Sequence, residues 1–339
     1  MDEPFVTIIL PIRNESRHIA RTLESILAQN YPAEQMEILV IDGMSDDGTR
    51  QIVTEFTRRD ARVRLLDNPQ RIVPTAMNKG IRAACGSNIV RVDGHAVIES
   101  DYVRRCVEGL ANIQADCVGG PILTVGETEI ARAIALAQSS PFGVGNAVFR
   151  YAQTAGYVDT LAFGAYRREV FDRIGLFDEE LVRNQDDELN FRLIQSGGKI
   201  WLDPKIRSTY FSRSTLRGLW KQYFEYGFWK VRVIQKHRRP ASFRHLVPGA
   251  FVLALASSLV LGWLVGSPLF LFTVLLPYLF VSLFVSLWIA ARAGWRYVPL
   301  LPLAFATMHL AYGCGFLAGI ARFGFAKARP AGLQKTLRV

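Results

Sequence analysis

The distribution of apolar residues divides this chain into two parts with different patterns. In the first part, short apolar runs alternate with segments whose apolar residues recur at helical spacing. The apolar runs cover residues 6–12, 37–42, 63–67 and 88–93. Each run predicts a buried strand, and the segments between the runs predict helices. Strands that alternate with helices of this length are typical of βαβ units, so we predict an α/β fold around a mostly parallel sheet.

Apolar residues dominate the second part of the chain with few interruptions. Three apolar stretches cover about residues 247–265, 269–290 and 298–320. Each stretch is close to the ~20 residues that a helix needs to cross a bilayer. Buried core helices are the alternative, but three stretches in succession favour transmembrane helices. We therefore predict a transmembrane region over residues 246–322.

The basic residues around these stretches predict an orientation in the membrane. Residues 212–245 combine aromatic and basic side chains, which predicts an amphipathic helix on the membrane surface. The same basic residues place the start of the first stretch in the cytoplasm. A third complete span would put the basic tail at 323–339 outside, which conflicts with the rule that basic flanks stay inside. We predict three spans, with a re-entrant hairpin at 298–320 as the alternative.

The positive charge and the cysteines narrow the class of protein. The net charge is +10, but the basic residues flank apolar spans, which favours membrane lipid over nucleic acid as the partner. The four cysteines form no CxxC pair and have the spacing of neither a zinc site nor a disulfide framework. The first residues lack a basic segment before a long apolar run, so we expect no secretory signal and a cytoplasmic N-terminal domain.

Polar clusters follow three of the predicted strands, at residues 11–15, 42–47 and 93–95. Because the carboxyl ends of parallel strands meet at one edge of a sheet, we expect the clusters to converge on one crevice. No GxGxxG dinucleotide pattern follows the first strand, and the chain has no GxxxxGK[ST] phosphate loop. Asp93 and His95, separated by Gly94, therefore predict either a polar turn or a divalent-metal site.

Four separated segments, in the same order and spacing, resemble a known family. They are the segment that begins VTIILPIRNES at Val6, EILVIDGMSDDGT at 37–49, VRVDGHAVIESDYV at 90–103 and RNQDDELNFRLIQSGGKIWLDP at 183–204. Over roughly residues 5–230 the chain resembles the family 2 glycosyltransferases, which have the GT-A fold. Within that family it looks most like the bacterial exopolysaccharide enzymes of the succinoglycan glucosyltransferase type.

The resemblance implies a site for a divalent cation and a diphosphate. Asp93 and His95 stand where the family has its Asp-x-Asp metal motif, with His95 in place of the second acid. The implied cofactor is Mn²⁺ or Mg²⁺, and the imidazole favours Mn²⁺ slightly. Whether His95 contacts the metal or the phosphate stays open. With the other motifs present, the polar-turn alternative loses weight.

The resemblance also implies residues that bind the nucleotide sugar. Asp42 matches the acid that the family uses to hold the base, and a carboxylate can accept a hydrogen bond from uracil, which fits a UDP-sugar. The alternative for Asp42 is a cap or turn, a role that Asp46 and Asp47 also fit. The other candidates for nucleotide-sugar binding are Pro11, Arg13, Glu15, Arg71, Lys79 and Asp93.

An inverting sugar transfer needs one general base to accept the proton of the attacking hydroxyl. The family pattern Glu-Asp-x-Glu falls on residues 185–188, so the resemblance implies Asp186 as the base and Asp187 as its nearest rival. Gln185 replaces the usual first acid of the pattern. The alternative is that these acids only stabilise the start of the following helix.

The sequence therefore predicts a GT-A domain at residues 1–211 and a membrane anchor behind it. We expect transfer of one sugar, with UDP-glucose as the first donor, to a polyprenyl-diphosphate-linked glycan. The expected place is the cytoplasmic face of the inner membrane, in exopolysaccharide synthesis. A catalytically inactive membrane scaffold is one alternative, supported only by Gln185 and His95. A nucleotidyltransferase is another, but its Gly-rich basic loop after the first strand is missing.

Overall fold

The computed structural model describes residues 3–324 of the chain. These residues form two compact units. The first unit holds the described residues up to Leu123 together with Val148–Tyr210. The second holds Thr124–Ala147 and the described residues from Phe211 to Gly324. Of the predicted basic tail at 323–339, residues 325–339 lie outside the described part of the chain.

Strands and helices alternate through the first half of the chain, and helices dominate the end. The strands are β1 (Val6–Ile12), β2 (Met36–Asp42), β3 (Val63–Asp67), β4 (Asn88–Arg91), β5 (Ala96–Ile98), β6 (Cys117–Gly119), β7 (Ile122–Val125), β8 (Gly156–Tyr157), β9 (Gly164–Arg167), β10 (Ile200–Leu202) and β11 (Ser208–Phe211). The helices are α1 (Ile19–Leu27), α2 (Thr49–Arg59), α3 (Val73–Ala83), α4 (Tyr102–Asn112), α5 (Glu129–Gln138), α6 (Pro141–Val144), α7 (Glu169–Ile174), α8 (Gln185–Gln195), α9 (Leu216–His237), α10 (Val247–Val265), α11 (Leu269–Ala293) and α12 (Leu300–Phe323).

The first unit is built around an eight-stranded sheet of order β3-β2-β1-β4-β9-β6-β10-β8. The neighbours β3, β2, β1 and β4 pair in parallel, as do β6 and β10. β9 runs antiparallel to both β4 and β6. The prediction of an α/β fold with a mostly parallel sheet is therefore confirmed. The four predicted strands are also confirmed, although β4 ends at Arg91, two residues before the predicted end.

Helices cover both faces of this sheet, and the alternation of side chains along β4 shows how. Val90 is buried in the core that contains residues of α1 and α4. Ile89 is buried in the second core, with residues of α3 and α8. Since successive side chains of a strand point to opposite faces, Arg91 belongs to the same face as Ile89. This face carries α8, where the predicted base lies.

The register of the parallel strands brings their polar ends together. Ile12 of β1 pairs with Asp42 of β2, which in turn pairs with Asp67 of β3. β4 stops earlier, with Arg91 opposite Ile9. The chain that leaves β4 therefore passes the ends of its neighbours before it turns. This edge of the sheet collects the three predicted polar clusters.

The second unit contains three helices that are long and apolar enough to cross a membrane. The residues identified are Phe243–Val265, Leu269–Ala293 and Leu300–Phe323. The last of these is one continuous helix, α12, so the alternative of a hairpin within 298–320 is not what the structure has. Its Pro302 lies in the first turn, where a missing N–H removes no helical hydrogen bond.

The glycines of α12 explain how it packs instead of turning. A Cβ atom on Gly315 would lie 2.1 Å from the carbonyl oxygen of Phe224 on α9. Conversely, a Cβ on Gly227 of α9 would lie 2.0 Å from the carbonyl oxygen of Tyr312. Small residues of this kind let two helix backbones approach closely, which is how helices associate where the hydrophobic effect gives no preference.

Residues 124–147 belong to the second unit through polar contacts with its helices. His309 of α12 donates from Nε2 to the carbonyl oxygen of Phe142 at 2.9 Å. Because a carbonyl only accepts, Nδ1 of His309 accepts from the hydroxyl of Tyr278 at 3.1 Å. Arg244 donates to the side-chain oxygen of Asn146 at 2.7 Å. The sequence assigned residues 124–147 to the range 1–211, because local patterns carry no information about these distant partners.

Candidate active site

Asp42 ends β2 and is completely buried. Its carboxylate accepts from the backbone N–H of Ser45 at 3.1 Å and also from the Ser45 hydroxyl. Nη1 of Arg50 on α2 donates to Asp42 at 2.6 Å and to Asp67 at 2.8 Å. Hydrogen bonds to these two carboxylates raise the pKa of Arg50. Both oxygens of Asp42 are thus in use, and a nucleobase would reach them only after the loop behind β2 moved.

Asp46 and Asp47 join the loops that follow β1 and β2. Asn14 donates to Asp46 at 2.9 Å, and the backbone N–H of Asp46 donates back to Asn14 at 3.1 Å. Asp47 accepts from the backbone N–H groups of Ser16 at 3.1 Å and Thr49 at 3.0 Å. Burial works against the charge of Asp47, but the hydrogen bonds from Thr49 and Ser16 outweigh it and lower the pKa of this carboxyl. These acids act as local supports of the two loops, whereas the N-cap residue of α2 is Gly48, without a side-chain cap hydrogen bond.

Pro11 and Arg13 lie on either side of the end of β1. Pro11 is buried and pairs with Ile41. Arg13 is exposed and packs over Gly43, whose added Cβ would lie 3.2 Å from the Cβ of Arg13. The Arg13 side chain therefore covers the loop that follows Asp42.

Asp93 follows the end of β4 and lies beside a buried arginine. Arg91 donates from Nε to Oδ1 of Asp93 at 2.9 Å. The Arg91 side chain is only 7% exposed, whereas that of Asp93 is 22% exposed. Nη2 of Arg91 also donates to Oδ2 of Asp93, at 3.4 Å. Asp93 therefore keeps a path to solvent while Arg91 holds both of its oxygens from the protein side.

Asp186 faces the same guanidinium from the start of α8. Nη1 of Arg91 lies 3.6 Å from Oδ2 of Asp186, and the Asp186 side chain is 29% exposed. Oδ1 of Asp186 accepts from the backbone N–H of Asp187 at 2.9 Å. Burial works against the charge on Arg91, but Asp93 and Asp186 outweigh it and raise the pKa of Arg91 further. The structure thus brings the predicted metal ligand and the predicted base to one fixed positive charge.

Two sets of contacts hold the helix that carries Asp186. Asn190 donates to Thr160 Oγ1 at 2.9 Å and accepts from the Tyr166 hydroxyl at 2.8 Å. Glu188, which is completely buried, pairs with Arg192 at 2.7 Å. A Glu188–Arg192 pair one turn apart, with the acid in the first turn, also suits the helix dipole. Glu188 therefore supports the helix and is not available for proton transfer.

His95 points at Glu15, a contact that the sequence pattern did not predict. The distance from Nδ1 of His95 to Oε1 of Glu15 is 2.8 Å, and both side chains are 19% exposed. The ring of His95 also meets the edge of Tyr210, at 5.0 Å between ring centroids. Since the carboxylate of Glu15 engages Nδ1, Nε2 is the ring nitrogen left for a metal or a phosphate.

Asp93 and His95 fit a cation whose remaining ligands come from the substrate. Within residues 3–324, no group of three or more His, Cys, Asp or Glu side chains is arranged to hold a metal ion. Asp93 has a partly exposed carboxylate, and His95 has its Nε2. Magnesium-type sites commonly use one or two protein ligands and take the others from substrate phosphates and water. Asp93 and His95 suit that kind of site, and they do not suit a cation held by protein alone.

Arg71 and Lys79 lie further along the same edge, near a cavity of about 370 Å³. Nζ of Lys79 donates to the carbonyl oxygen of Asp67 at 2.6 Å. Arg71 is exposed and has a left-handed backbone, with φ of 61°. The cavity is lined by Asn68, Pro69, Gln70, Thr75, Lys79, Arg82 and Glu179. These two cations thus lie beyond the end of β3.

Sequence reasoning missed the two arginines that organise this edge, Arg50 and Arg91. A signal for Arg91 was present in NIVRVD, because a charged residue interrupts an otherwise apolar central strand. A buried charge is costly unless it is paired, so such a residue implies a partner. The identity of the partner was not readable, since Asp186 is far away in the sequence.

A mostly parallel sheet with acids at its carboxyl edge, and a further acid at the start of α8, is the arrangement that the resemblance to the GT-A glycosyltransferases implies. The model of the family "Glycosyl transferase family 2" matches residues 7–175. The succinoglycan biosynthesis protein ExoA of Rhizobium meliloti (strain 1021) is 32% identical, over 91% of this chain and 93% of that protein. The chain belongs to glycosyltransferase family 2, as its four sequence motifs predicted.

Two further proteins are similar to this chain. One is the dolichyl N-acetyl-alpha-D-glucosaminyl phosphate 3-beta-D-2,3-diacetamido-2,3-dideoxy-beta-D-glucuronosyltransferase of Methanococcus voltae. It is 30% identical over 77% of this chain and 83% of its own length. The other is the mannosyltransferase PcManGT from Pyrobaculum calidifontis, solved in complex with GDP-Man and Mn²⁺. It has a TM-score of 0.60 at 18% identity and covers 95% of this chain and 89% of its own. At that identity the likeness shows the fold alone.

Proposed function

We propose that this protein is an inverting glycosyltransferase that moves one sugar from a UDP-sugar to a lipid-linked glycan. The observation that carries the proposal is the meeting of two acids at one buried guanidinium. Arg91 lies 2.9 Å from Asp93 and 3.6 Å from Asp186. The family resemblance implies that Asp93 binds the donor and that Asp186 acts on the acceptor. Their common contact with Arg91 supports that division, because both reactants must meet between them.

Asp186 is the proposed general base. It accepts the proton of the acceptor hydroxyl while the hydroxyl oxygen attacks the anomeric carbon of the donor sugar. The bond from that carbon to the diphosphate breaks, UDP leaves with the bonding electrons, and the configuration inverts. The partial exposure of Asp186 supports this role, because a hydroxyl can approach it. Asp187, the next residue of the first helical turn, is the rival.

Asp93 and His95 are the proposed ligands of Mn²⁺ or Mg²⁺. When bound, such a cation supplies positive charge to the leaving diphosphate. Arg13, Arg71 and Lys79 are proposed to add positive charge along the path of the donor. All three lie at or beyond the carboxyl ends of β1 and β3.

Asp42 is proposed to hold the uracil base, with Pro11 and Glu15 beside the nucleotide sugar. Because both oxygens of Asp42 already accept hydrogen bonds, the proposal requires that the donor displaces the contacts from Ser45. UDP-glucose is the first candidate donor, because the chain resembles glucosyltransferases of the succinoglycan type. The similarity to a succinoglycan biosynthesis protein supports exopolysaccharide synthesis as the pathway.

A polyprenyl-diphosphate-linked glycan is the proposed acceptor. The relative from Methanococcus voltae acts, by its name, on a dolichyl-linked sugar, which supports a lipid-linked acceptor here. The three apolar helices support a protein anchored in the membrane, where such an acceptor resides. We propose three spans in the inner membrane, with the catalytic domain in the cytoplasm and the basic segment 212–245 on the membrane surface. No nucleic acid takes part.

The test uses membranes that contain this protein, Mn²⁺ and lipid-linked oligosaccharides extracted from the host. Radiolabelled UDP-glucose is supplied first, followed by other UDP-sugars and GDP-mannose. Transfer is counted as label that enters the organic phase, in wild type, Asp186→Asn and Asp187→Asn. Removal of a general base costs about 10²–10⁴-fold in rate. We expect a loss of that size in Asp186→Asn and a much smaller one in Asp187→Asn.

The possible outcomes separate the parts of the proposal. Transfer from one donor that is lost in Asp186→Asn supports the base and names the sugar. The reverse pattern in the two variants would move the base to Asp187. Label that stays in the aqueous phase with every donor, while UDP is released, would argue against a lipid-linked acceptor.

A further inference from the structure

Arg91 occupies a position where a charged residue is costly. It is the last residue of β4, in the middle of the sheet, between β1 and β9. The residue is 6% exposed, and Ile89, two positions earlier on the same face, is completely buried. A guanidinium in such surroundings destabilises the fold unless its partners compensate. The presence of Arg91 therefore implies a role that an apolar residue could not have.

The contacts of Arg91 are complete on one side and incomplete on the other. Towards Asp93, Nε donates at 2.9 Å and Nη2 lies 3.4 Å from the second carboxylate oxygen. Towards Asp186, Nη1 lies at 3.6 Å, and this buried atom has no hydrogen-bond partner among the described residues. Contacts at active sites are often long in the free enzyme and tighten in the complex. The unbonded nitrogen of Arg91, Nη1, is thus the one that faces the proposed base.

Two neighbouring groups, Tyr166 and the backbone of Asp187, do not occupy the position that Arg91 has beside Oδ2 of Asp186. The hydroxyl of Tyr166, on the neighbouring strand β9, donates to Asn190 at 2.8 Å. The backbone N–H of Asp187 binds Oδ1 of Asp186, on the opposite oxygen from Arg91. The carboxylate is therefore set between a backbone donor on one oxygen and the guanidinium on the other. If the 3.6 Å contact of Arg91 shortens to a hydrogen bond, donors on both oxygens fix the plane of the carboxylate.

We propose that Arg91 is a positioning residue for Asp186. Its guanidinium, anchored on Asp93, fixes the orientation of the Asp186 carboxylate and its distance from the donor site. The inference rests on the proposed function, in which Asp186 is the base. An arginine suits this task better than a lysine, since its planar fork binds two groups in fixed directions.

A positioning role predicts a specific kinetic pattern. Arg91→Met removes the group that joins Asp93 to Asp186 and lets the base turn away from its reactive orientation. A misplacement of about 1 Å costs about 10²-fold in rate. We expect kcat of Arg91→Met to fall by about that factor, and to fall more than KM for UDP-glucose rises through the loss of the Arg91 contact to Asp93. Arg91→Lys keeps the charge without the fork, and we expect a smaller loss of kcat.

The decisive experiment is a double-mutant cycle in membranes that contain the full chain. Transfer from radiolabelled UDP-glucose to extracted lipid-linked oligosaccharides is measured for wild type, R91M, D186N and R91M/D186N. If Arg91 acts through Asp186, R91M lowers the rate of wild type but not the residual rate of D186N. If R91M lowers both rates by the same factor, Arg91 acts independently of Asp186 and the inference is overturned. A KM that rises while kcat stays constant would overturn it too, in favour of direct contact with the donor.

Controls separate positioning from general damage to the fold. Arg62→Met removes an arginine that pairs with Asp60 at 2.7 Å next to the start of β3, at the opposite edge of the sheet. We expect this variant to keep wild-type kcat and KM. Arg91→Ala with added guanidinium chloride gives a second test, since the small cation is expected to restore part of kcat. Restoration in R91A but not in R91A/D186N supports the inference, and restoration in neither argues against it.

The same set of variants distinguishes a failure of the inference from a failure of the proposed function. Wild-type kcat in D186N would remove Asp186 as the base, and the inference would fall with it. Loss of transfer in D186N together with wild-type kcat in R91M and R91K would overturn the inference alone. Where R91M does not reach the membrane, R91K and the rescued R91A decide the question.

Discussion

Two arginine-bridged pairs of carboxylates lie at the carboxyl edge of the sheet, and they differ in how completely they are satisfied. Arg50 donates to Asp42 at 2.6 Å and to Asp67 at 2.8 Å, and its side chain is 35% exposed. Arg91 is five times less exposed, at 7%, and its Nη1 stops 3.6 Å from Asp186. The more exposed arginine has the shorter contacts, and the buried one has the longer.

This difference indicates different tasks for the two pairs. A buried donor without a partner costs about 1–3 kcal/mol, so the incomplete contact of Arg91 lowers stability. A fold that needed only stability would close that contact or replace the arginine. The closed pair at Arg50 fixes the ends of β2 and β3. The open pair at Arg91 leaves room for a contact to tighten when both substrates are present.

Among changes at Asp93, Asp42 and Asp47, the largest effect is expected at Asp93, where the open pair at Arg91 meets the donor. Asp93→Asn keeps the shape of the side chain but removes the charge that faces Arg91 and the proposed cation. We expect kcat/KM for transfer from UDP-glucose to fall by about 10²–10³-fold, the usual cost of losing one group that stabilises developing charge. Chelation of divalent cations is expected to stop the wild type, and added Mn²⁺ to restore it.

The matched control for this change is Asp60→Asn, whose partner Arg62 lies next to the start of β3. It removes a paired carboxylate of the same kind, and we expect wild-type kcat/KM. Equal transfer rates in Asp93→Asn and wild type would remove Asp93 from the donor site.

An intermediate effect is expected at the closed pair. Asp42→Asn removes a completely buried charge that Arg50 and Ser45 bind, which costs about 2 kcal/mol. We expect the thermal unfolding midpoint of the detergent-solubilised protein to fall by about 4–8 °C. Asp67→Asn removes the 55% exposed partner of the same arginine, and its cost is expected to stay below about 1 kcal/mol. A larger shift in Asp67→Asn than in Asp42→Asn would contradict this ranking of the two carboxylates.

The smallest effect is expected at Asp47, which supports the loops beside the closed pair. Asp47→Ala removes acceptors for Ser16 and Thr49, at a cost of about 1 kcal/mol. Because the pKa of Asp47 is lower in the folded protein, its contribution is present above the ordinary carboxyl value of 3.8 and is lost below it. The difference in unfolding midpoint between wild type and Asp47→Ala should therefore be constant near neutral pH and shrink below pH 3.8. A difference that grows on acidification would show that the carboxylate is not the stabilising form.

Much of the first half of the fold was predictable from local patterns. The strands β1, β2 and β3 and the helices between them follow from apolar runs and helical spacing, because each element buries a face that its own residues define. The later strands escaped prediction, since β8, β9 and β10 have only two to four residues each. So short a strand shows no periodicity, and it exists because a neighbouring strand completes its hydrogen bonds.

The candidate site was predictable only in its parts. The sequence named Asp93, His95 and Asp186 from motifs, and it had no means to state that Arg91 would join two of them. Glu15 likewise became a neighbour of His95 only in the folded chain. Ion pairs between distant segments depend on the strand order and on the length of β4, and neither is a property of a local window.

The sequence by itself determined the alternation of strands and helices, the apolar helices at the end of the chain and the family motifs. These follow from the periodic placement of apolar residues and from short segments whose chemistry can be read directly. Only the tertiary structure decided that residues 124–147 join the second unit, that the glycines of α12 serve close packing, and that Arg91 lies between two acids. Each of these depends on contacts across long stretches of chain, which form because the whole core, and no single segment, is buried.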